Sequence, residues 1–523
     1  MSIPETLTMP KNFNITSYFL DRNITEGRGN KTALICGDKK YTYFEIQQRT
    51  NQMGNILLEL GVEMEDRVLL VLNDSIDFVA SWFGIMKIGA VATDVYTYLK
   101  AADYEYYLNY TRAKIVIVDP ATYSIVAEAA KNAPLLKYML VAGDPPTSLN
   151  TNEYTLEDLL VKASPELEAT PTIGDEFALW KFTTGSTGKP KGTVHTHHNT
   201  LYNFHYYGLK VLGYTSDDLV LPVPKLFFGY ARDAALVYPF GVGGGAVIFP
   251  ERTTAERLFQ LIEAHKPTAM IQVPTMMNAM ALHPDAEKYD LSSLRFCTSA
   301  GEALPYEVYR RWKDKFDVEV LDGIGSAELY HIYLSNTLDH VVPGSLGRVI
   351  EGYEGKILGA DGEPVEQGEP GVLHMRGGSA GVMYWNDRQK SVATFAGEWV
   401  NTGDLFRQDE EGNYYFCGRA DDLIKVSGIW VSPQEIEDCL LEHPQIKEVA
   451  VIPYEEIKGL ILPAAFIVLK DNEAKMEDSE CIAYVKSKLA PYKAPRKVVF
   501  LEELPKTAQG KINKKVIKES RWD

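Results

Sequence analysis

Short apolar runs alternate along much of the chain with longer stretches in which apolar residues recur every three or four positions. Residues 67–72, RVLLVL, are such a run, and residues 75–90 after them have helical spacing. Two further apolar runs, at 113–119 and 246–250, also precede stretches with helical spacing. Because strands that alternate with helices build parallel sheets covered on both faces, this pattern predicts an α/β fold.

The pattern changes near Gly344, where Gly, Pro and strand-forming residues predict β-hairpins. A smaller α/β unit follows, with helical spacing at 432–444 and 479–489 and strand-like runs at 448–454 and 463–469. The predicted architecture is therefore a large N-terminal domain of parallel or mixed sheets with helices and a β-hairpin subdomain, followed by a small α/β C-terminal domain.

The two domains, which we assign to residues 1–420 and 421–523, differ in charge. The chain has 523 residues and a net charge of −18, which argues against non-specific binding to nucleic acid. From Lys486 to the end, however, 11 side chains are basic and four are acidic. This end would attract a phosphate-bearing ligand, although a solvated lysine-rich surface has the same composition.

The cysteines and the apolar runs indicate the cellular compartment in which we expect the protein. Five cysteines occur without a C-x-x-C pair, which is typical of free thiols in a reducing compartment. The N-terminus lacks the basic and apolar regions of a signal peptide, and no uncharged apolar run is long enough to cross a bilayer. We expect a cytoplasmic protein without membrane insertion, either a monomer or a homodimer.

The strongest local motif is TTGSTGKPKG, residues 183–192, which lies between two strand-like runs. Its glycines allow backbone N–H groups to approach an anion, and its hydroxyl and ammonium groups add donors. The motif is not a Walker A loop, which has Gly where Thr183 stands and Ser or Thr where Pro190 follows the lysine. It predicts a phosphate site formed by Thr183, Thr184, Ser186, Thr187, Gly188 and Lys191.

This motif resembles the phosphate loop of the adenylate-forming superfamily, which includes the acyl-CoA synthetases. Five further motifs follow in that superfamily's order and are similar to its adenine, adenylate, ribose, hinge and lysine segments: SAGEALP (299–305), DGIGSAEL (322–329), GEWVNTGDLF (397–406), GRADDLIKVSG (418–428) and PKTAQGKINK (505–514). The resemblance implies a ligase that uses ATP, Mg²⁺ and coenzyme A. A carboxylate and ATP give an acyl-adenylate and pyrophosphate, and CoA then gives acyl-CoA and AMP.

The resemblance also implies roles for single residues. Lys511 would bridge the substrate carboxylate and the α-phosphate, and Glu328 would bind Mg²⁺, a hard cation that takes carboxylate and phosphate oxygens. Asp404 would accept hydrogen bonds from both ribose hydroxyls, with Arg419 on the other side of the nucleotide. The remaining nucleotide contacts would come from Gly301, Glu302, Asp322, Gly323, Ile324, Gly325 and Ala327.

Members of the superfamily work in two conformations, which would make the C-terminal domain a mobile lid. The lid first presents Lys511 for adenylation and then rotates about a hinge at Asp421. After this rotation a tunnel for coenzyme A would form from Ser427, Gly428 and Trp430, and Gly428 would leave room for the narrow pantetheine chain.

Ala327 departs from the superfamily pattern, because a threonine usually precedes the magnesium glutamate. One hydroxyl near the phosphates is therefore missing, and Ser326 beside it is a partial substitute. A weakened adenylation step is one consequence. An adenylate-binding protein without turnover is the alternative interpretation, against which Lys511 and Glu328 argue.

Three segments resemble benzoate-CoA ligases and related aryl-CoA ligases: residues 224–254, 323–336 and 376–387. Flat apolar walls suit a ring, and the implied acyl pocket consists of Phe228, Tyr230, Gly325, His331, Ile332 and Lys511. Arg232 and Asp233 stand where that subgroup has small or neutral residues, and they either pair with each other or mark a different acid. We expect an aromatic or alicyclic carboxylate. The sequence does not decide whether the acid is benzoate, hydroxybenzoate, cyclohexane- or cyclohexenecarboxylate or a short branched acid. It also leaves open the direction of the reaction and the role of His331.

Two other motifs suggest different chemistry. GGSAG (377–381) matches G-x-S-x-G and would make Ser379 the nucleophile of an esterase, but the only histidine after it is His443 and no helix is predicted to follow. His195, His197 and His198 suggest a metal site, but no acidic or cysteine partner at ligand spacing accompanies them.

Overall fold

The computed structural model describes residues 7–184, 189–426, 429–457, 460–470, 476–506 and 512–520. Its architecture is mixed α/β, as the alternating pattern predicts, with a large N-terminal part and a small C-terminal part. The strands predicted at 67–72, 113–119 and 246–250 form, and each is followed by its predicted helix.

One sheet of the described chain has nine strands. In spatial order they are Arg348–Val349, Ile332–Ser335, Val320–Gly325, Phe296–Ser299, Ala269–Gln272, Leu219–Pro222, Gly245–Ile248, Thr32–Cys36 and Lys39–Thr42. The central pairs are parallel, whereas the pairs at both edges are antiparallel. In the parallel part of the sheet the carboxyl ends of adjacent strands therefore meet at one edge, where α/β proteins place their ligands.

A second sheet of the described chain has eight strands. In spatial order they are Met383–Tyr384, Pro190–Thr196, Phe177–Thr184, Val91–Asp94, Arg67–Val71, Ile115–Val118, Tyr138–Val141 and Glu153–Thr155. The strands on either side of residues 185–188 pair with each other in antiparallel fashion. This hairpin adds an antiparallel edge to a parallel sheet.

The hairpins predicted after Gly344 form a five-stranded antiparallel sheet, with strands Glu354–Leu358, Gly371–Arg376, Phe395–Ala396, Trp399–Gln408 and Tyr414–Arg419. The chain then passes a 3₁₀ turn at Ala420–Asp422. Beyond it, a two-stranded ribbon and a three-stranded sheet follow, with strands Ile424–Val426, Ile429–Val431, Ile446–Ile457, Leu460–Leu469 and Lys497–Phe500.

Helices cover the two large sheets and pack on the three-stranded sheet of the C-terminal part. The α-helices are Arg22–Thr25, Tyr43–Glu59, Ile76–Lys87, Ala101–Thr111, Pro120–Ala130, Leu156–Leu160, His197–Asn203, Gly229–Arg232, Tyr238–Val242, Ala255–His265, Pro274–Ala281, Tyr306–Phe316, Arg388–Thr394, Pro433–Leu441, Asp478–Lys488 and Lys514–Glu519. Short π-helical stretches occur at Ser17–Asp21, Phe204–Val211 and Asp233–Val237. Besides the 3₁₀ turn at Ala420–Asp422, the described chain has 3₁₀ turns at Ala286–Lys288 and Pro491–Lys493.

Local sequence signals fix several of these helix starts. Thr42 and Glu45 form a capping box, in which each side chain accepts a hydrogen bond from the other residue's backbone N–H, at 3.2 Å and 2.7 Å. Ser75 caps the next helix by accepting from Phe78 N at 3.1 Å.

The apolar residues fill separate clusters. The largest lies against the two big sheets and includes Trp82 and Tyr238, while another is confined to the C-terminal part and includes Ile436 and Val485. Separate cores of this kind are expected when a chain forms two domains. Among the described residues, no helix combines the length and the apolar character needed to cross a bilayer.

Candidate active site

The predicted adenine and adenylate segments follow neighbouring parallel strands. Ser299 is the last residue of its strand and pairs with Asp322 of the next strand, and the turn after Ser299 contains Gly301 and Glu302. Gly301 has φ +87°, which favours glycine, and Glu302 accepts a hydrogen bond from Thr275 Oγ1 at 2.7 Å. Gly323, Ile324 and Gly325 continue the second strand. The motifs thus meet at one edge of the nine-stranded sheet.

The described parts of the phosphate motif lie in the hairpin of the eight-stranded sheet. Thr183 pairs with Lys191, and Thr184 with Pro190. Lys191 Nζ lies 5.7 Å from the centre of the Tyr384 ring. Ser186, Thr187 and Gly188, three predicted phosphate contacts, lie outside the described residues.

Glu328 is held by a tyrosine that the sequence analysis did not identify. Tyr384 OH donates to Glu328 Oε1 at 2.5 Å, and Gly381 N donates to the Glu328 carbonyl oxygen at 2.8 Å. Burial, and next the Glu328 carboxylate, raise the pKa of Tyr384, so the phenol stays protonated and donates. One oxygen of Glu328 is thereby positioned while the carboxylate keeps a second oxygen, which fits a residue that shares a magnesium ion with phosphate.

Asp404 and Arg419 face each other on adjacent antiparallel strands. Arg419 Nη1 lies 2.8 Å from Asp404 Oδ1, and half of the Arg419 side chain is exposed, against 8% for Asp404. Burial raises the pKa of Asp404 to about 6, although Arg419 acts in the opposite direction. At neutral pH the carboxylate is ionised and can accept two hydroxyl donors.

The backbone around Ala327 is fixed by a buried histidine. His195 Nε2 lies 2.7 Å from the Ala327 carbonyl oxygen, and burial lowers the pKa of His195 to about 4, so the ring is neutral at physiological pH. Ser326 Oγ accepts from Leu329 N at 3.3 Å, which orders the turn. The Ser326 hydroxyl can still donate its proton to a ligand.

A cavity of 170 Å³ opens beside these segments. Residues from the nucleotide segments line it, and the predicted acyl-pocket residues Tyr230, Gly325, His331 and Ile332 also contribute to its walls. Tyr230 OH spans two strand ends, because it donates to Gln272 O at 3.2 Å and shares a hydrogen bond with Thr298 at 2.6 Å. The cavity thus adjoins the nucleotide segments.

His331 is a buried wall residue of this cavity. Its Nε2 lies 3.0 Å from the Tyr230 carbonyl oxygen, and the ring packs against Tyr207, Tyr230 and Tyr238 at 5.3–5.6 Å. Burial lowers the pKa of His331 to about 4, so the ring is neutral. It can shape the pocket and donate or accept one hydrogen bond, but it brings no positive charge to a carboxylate.

Phe228, the other predicted pocket residue, lines a second cavity of 50 Å³ and packs on Tyr96 with ring centres 4.9 Å apart. Lys181, Phe182 and Gly229 line both cavities, so the two adjoin.

Arg232 and Asp233 belong to a buried group of four charges. Their direct contact, Arg232 Nε to Asp233 Oδ1, is 3.3 Å. Arg232 Nη1 is closer to Asp94, at 2.8 Å and 2.7 Å from the two carboxylate oxygens. Lys181 Nζ forms the fourth member through short hydrogen bonds to the Asp233 carboxylate and the Tyr330 carbonyl oxygen. The predicted pairing is therefore present, but Asp94 and Lys181 complete it.

The four groups stay ionised despite their burial. Burial lowers the pKa of Lys181 to about 8 and raises that of Asp94 to about 6. Burial also opposes the charges on Arg232 and Asp233, but their neighbours outweigh it, raising the pKa of Arg232 and lowering that of Asp233. Gly229 leaves room for the lysine, because a methyl group there would lie 3.0 Å from Lys181 Nζ.

The esterase hypothesis is wrong. Ser379 is fully buried, and its Oγ donates to Leu329 O at 2.7 Å and shares a hydrogen bond with Tyr353 at 2.6 Å. GGSAG connects two strands, Gly371–Arg376 and Met383–Tyr384, rather than a strand and a helix, so it is not a nucleophile elbow.

The three histidines considered as a metal site do not converge. His197 Nδ1 accepts from Ile15 N at 3.2 Å, His198 Nε2 lies 2.6 Å from Pro10 O, and His195 faces Ala327. In the part of the chain that the structure describes, no group of three or more His, Cys, Asp or Glu side chains is arranged to hold a metal ion.

The remaining predicted residues belong to the C-terminal part. Lys511, Ser427 and Gly428 lie outside the described residues. Asp421 lies in the 3₁₀ turn Ala420–Asp422 and Trp430 in the strand Ile429–Val431, and only their backbones are described.

Comparison with known proteins decides the family. A model of the AMP-binding enzyme family matches residues 20–385, and a model of the AMP-binding enzyme C-terminal domain matches residues 435–511. The chain belongs to the AMP-binding enzyme family.

Among characterised members of the AMP-binding enzyme family, benzoate–CoA ligase of Thauera aromatica is 40% identical over 98% of this chain and 97% of the relative. The 4-hydroxybenzoate–CoA/benzoate–CoA ligase of Rhodopseudomonas palustris is 37% identical over 97% and 94%. The crystal structure of the anthranilate CoA ligase AuaEII in complex with anthranoyl-AMP has a TM-score of 0.93 and 37% identity, covering 98% of this chain and 97% of that one. A benzoate CoA ligase from Burkholderia xenovorans LB400 has a TM-score of 0.89 and 38% identity, covering 97% and 100%.

Proposed function

We propose that the protein is an AMP-forming ligase that joins an aromatic or alicyclic carboxylic acid to coenzyme A. The observation that supports this most is the position of a 170 Å³ cavity directly beside the strand-end segments of an AMP-binding enzyme. A cavity of about 150 Å³ is enough for benzene, so this one suits a single six-membered ring.

In the first half-reaction a carboxylate oxygen attacks the α-phosphorus of ATP, the bond to the β-phosphate oxygen breaks, and pyrophosphate leaves. Two anionic groups must approach each other, so catalysis consists mainly of positioning and charge stabilisation. We assign Lys511 to the oxygens shared by the two reactants. Glu328, oriented by Tyr384, would hold Mg²⁺ together with phosphate oxygens, and the ion would neutralise charge on the phosphates.

Asp404 and Arg419 would hold the ribose. The carboxylate accepts from both hydroxyls of the sugar, and the half-exposed Arg419 can move from Asp404 towards the nucleotide. Ala327 presents its backbone beside the acyl cavity, where His195 fixes it. This arrangement would align the α-phosphate with the acid without the usual threonine hydroxyl.

In the second half-reaction the thiol of coenzyme A attacks the acyl carbon, and AMP leaves with one oxygen of the original carboxylate. We place the pantetheine chain along Ser427, Gly428 and Trp430 after rotation of the C-terminal domain about Asp421. The basic side chains from Lys486 onward would meet phosphates of ATP or CoA in one of the two conformations.

The choice of acid rests on the cavity and on the relatives. Tyr230, His331 and Ile332 give it flat or apolar walls, and His331 is neutral. The similar proteins act on benzoate, on 4-hydroxybenzoate or, by the name of the crystallised ligase, on anthranilate. A benzoate-like acid fits both observations.

A pyrophosphate-release assay with ATP, Mg²⁺ and CoA tests this proposal. We expect turnover with benzoate or cyclohexanecarboxylate and at least tenfold lower kcat/KM with crotonate and acetate. Binding of ATP without pyrophosphate release from any acid would favour the adenylate-binding protein without turnover. The reverse assay, from acyl-CoA, AMP and pyrophosphate, measures whether the enzyme also forms ATP.

Two variants separate the half-reactions. Lys511→Ala should reduce acyl-adenylate formation at least a hundredfold and leave thioester formation from preformed adenylate within a few fold. Gly428→Leu should do the opposite, because its side chain fills the predicted tunnel. Equal loss of both half-reactions in either variant would contradict the two-conformation assignment.

A further inference from the structure

The motif GGSAG (377–381) packs against the backbone that follows Glu328. Ser379 is fully buried, and its Oγ donates to the Leu329 carbonyl oxygen at 2.7 Å. Two residues further on, Gly381 N donates to the Glu328 carbonyl oxygen at 2.8 Å. The motif that resembles a nucleophile elbow therefore holds two successive carbonyl groups of the candidate site.

A buried hydrogen-bond chain extends from Ser379. Tyr353 OH lies 2.6 Å from Ser379 Oγ, and Asn203 Nδ2 donates to the same phenol oxygen at 2.8 Å. Tyr238 OH donates to Asn203 Oδ1, and Asn203 Nδ2 also donates to the Ile332 carbonyl oxygen at 2.8 Å. Because the Ser379 hydroxyl donates its one proton elsewhere, the Tyr353 phenol must donate to Ser379, so every donor of the chain has an acceptor.

The chain holds the backbone on both sides of a strained residue. Its ends reach Leu329 O and Ile332 O, and between them Tyr330 has φ +73°, in the left-handed region that a bulky side chain rarely adopts. Lys181 Nζ donates to the Tyr330 carbonyl oxygen as well. Such a conformation persists only where the surrounding contacts determine it, and it is concentrated at functional sites. Side-chain donors thus hold three of the four carbonyl groups of residues 329–332.

The strained segment forms a wall of the acyl pocket. Tyr330, His331 and Ile332 all line the 170 Å³ cavity. The members of the hydrogen-bond chain line neither cavity, so the chain lies behind this wall. Glu328 has a separate contact through Tyr384. A break in the chain should therefore affect the acid more than the nucleotide.

We propose that the hydrogen-bond chain of Ser379, Tyr353 and Asn203 positions the acid. By holding Tyr330 in its strained conformation, the chain fixes the wall of the acyl pocket, and a misplacement of about 1 Å can cost about 100-fold in rate. The inference rests on the proposed function, because it assumes that the 170 Å³ cavity holds the acid. It makes these three side chains positioning residues for acid recognition.

Ser379→Ala tests the chain in the complete enzyme. Pyrophosphate release is measured with ATP, Mg²⁺, CoA and whichever of benzoate and cyclohexanecarboxylate the unmodified enzyme uses faster. We expect KM for this acid to rise at least tenfold, because its pocket wall is no longer fixed. KM for ATP should stay within twofold, since Glu328 keeps its contact with Tyr384. An acid KM within twofold of the unmodified value, or an equal rise of both constants, would overturn the proposal.

Ser345→Ala is the matched control. Ser345 is also a buried serine, whose Oγ donates to Val342 O at 2.9 Å and accepts from Gly347 N at 3.1 Å. It lines neither cavity. The control should leave KM for the acid within twofold. An equal rise in both variants would show that loss of any buried serine hydroxyl has this effect, and the assignment to Ser379 would fail.

Tyr353→Phe breaks the chain at its centre and removes only one hydroxyl group. KM for the acid should rise at least threefold, whereas Tyr43→Phe, which removes another buried hydroxyl, bonded to Gly244 O at 2.7 Å, should have no effect. Because the residues act through one chain, the double variant Ser379→Ala with Tyr353→Phe should be no more than twofold worse than Ser379→Ala. Effects that multiply in the double variant would contradict a single chain.

The outcomes separate the two proposals. If the unmodified enzyme uses ring acids but the variants keep its KM for them, the positioning role is overturned and the ligase function stands. If the unmodified enzyme uses none of the acids, the proposed function fails and the positioning role with it. Tyr353→Phe decides the question where Ser379→Ala does not fold.

Discussion

Two carboxylate–guanidinium pairs of nearly equal length occur among the residues of the candidate site. Asp404 and Arg419 are 2.8 Å apart, and Asp94 and Arg232 are 2.7 Å apart. Arg419 is half exposed, whereas Arg232 is 1% exposed and is held by a second carboxylate as well. The chemistry of the two pairs is the same, but their surroundings differ.

This difference indicates different functions. An exposed arginine leaves a carboxylate at little cost, since water replaces the lost contact, so the Asp404–Arg419 pair can give way to a ligand more easily than the buried pair. A buried arginine cannot leave, because the remaining carboxylate would be uncompensated. Arg232 therefore forms part of a fixed wall, whereas Asp404 is paired with a half-exposed side chain.

Removing the arginine of each pair should produce the largest contrast. Arg232→Met leaves Asp94 and Asp233 buried with one cation fewer, and should lower the free energy of unfolding by about 3–5 kcal/mol. Arg419→Met should lower it by less than about 1 kcal/mol. Urea denaturation of both variants measures this, and equal losses would show that burial does not distinguish the pairs.

Replacing Asp404 tests whether the exposed pair serves a ligand. Asp404→Asn keeps the size of the side chain but removes the charge that accepts two ribose hydroxyls. Hydrogen bonds to charged groups contribute about 1.5–3 kcal/mol, so KM for ATP should rise about 10- to 100-fold. KM for the acid should change much less, because Asp404 does not line either cavity. A parallel rise in both constants would contradict a ribose role.

The pH dependence of ATP use gives a smaller effect. Because burial raises the pKa of Asp404 to about 6, the carboxylate is ionised above that pH and becomes protonated below it. ATP affinity should be complete about one pH unit above that pKa and fall as the pH decreases through it, with KM rising up to about tenfold per unit below it. The Asp404→Asn variant should lack this dependence, and a wild-type KM that is flat from pH 7 to pH 5 would exclude Asp404 as the titrating group.

The sequence alone predicts the elements of the fold well and the contacts across the site poorly. Strands such as 67–72 and helices such as 75–90 are local patterns, and they form where expected. Arg232 and Asp94, in contrast, are 138 residues apart in the chain and meet only where the helix Gly229–Arg232 lies against the end of the strand Val91–Asp94. Asp233 is the next residue in the chain and was therefore the evident partner for Arg232. The second partner of Asp233 is Lys181, which lies in the distant strand Phe177–Thr184.

Tyr384 illustrates the same limit. It lies in a segment that resembles aryl-CoA ligases, yet nothing near it in the chain indicates that its hydroxyl meets Glu328, 56 residues earlier. Lys181 offered a usable signal, because a lysine within the apolar run EFALWKF must find a partner when the strand is buried. The phosphate loop and Lys511 were predicted from motifs, and their roles stay predictions.

The fate of the carboxylate oxygens tests the central claim most directly. The enzyme is supplied with ATP, CoA and benzoate labelled with ¹⁸O in both carboxylate oxygens, and the products are analysed by mass spectrometry. Because the carboxylate attacks the α-phosphorus and AMP leaves from the acyl carbon, AMP should contain one ¹⁸O and pyrophosphate none. Label in phosphate or pyrophosphate, or formation of ADP in place of AMP, would contradict the proposed ligase mechanism.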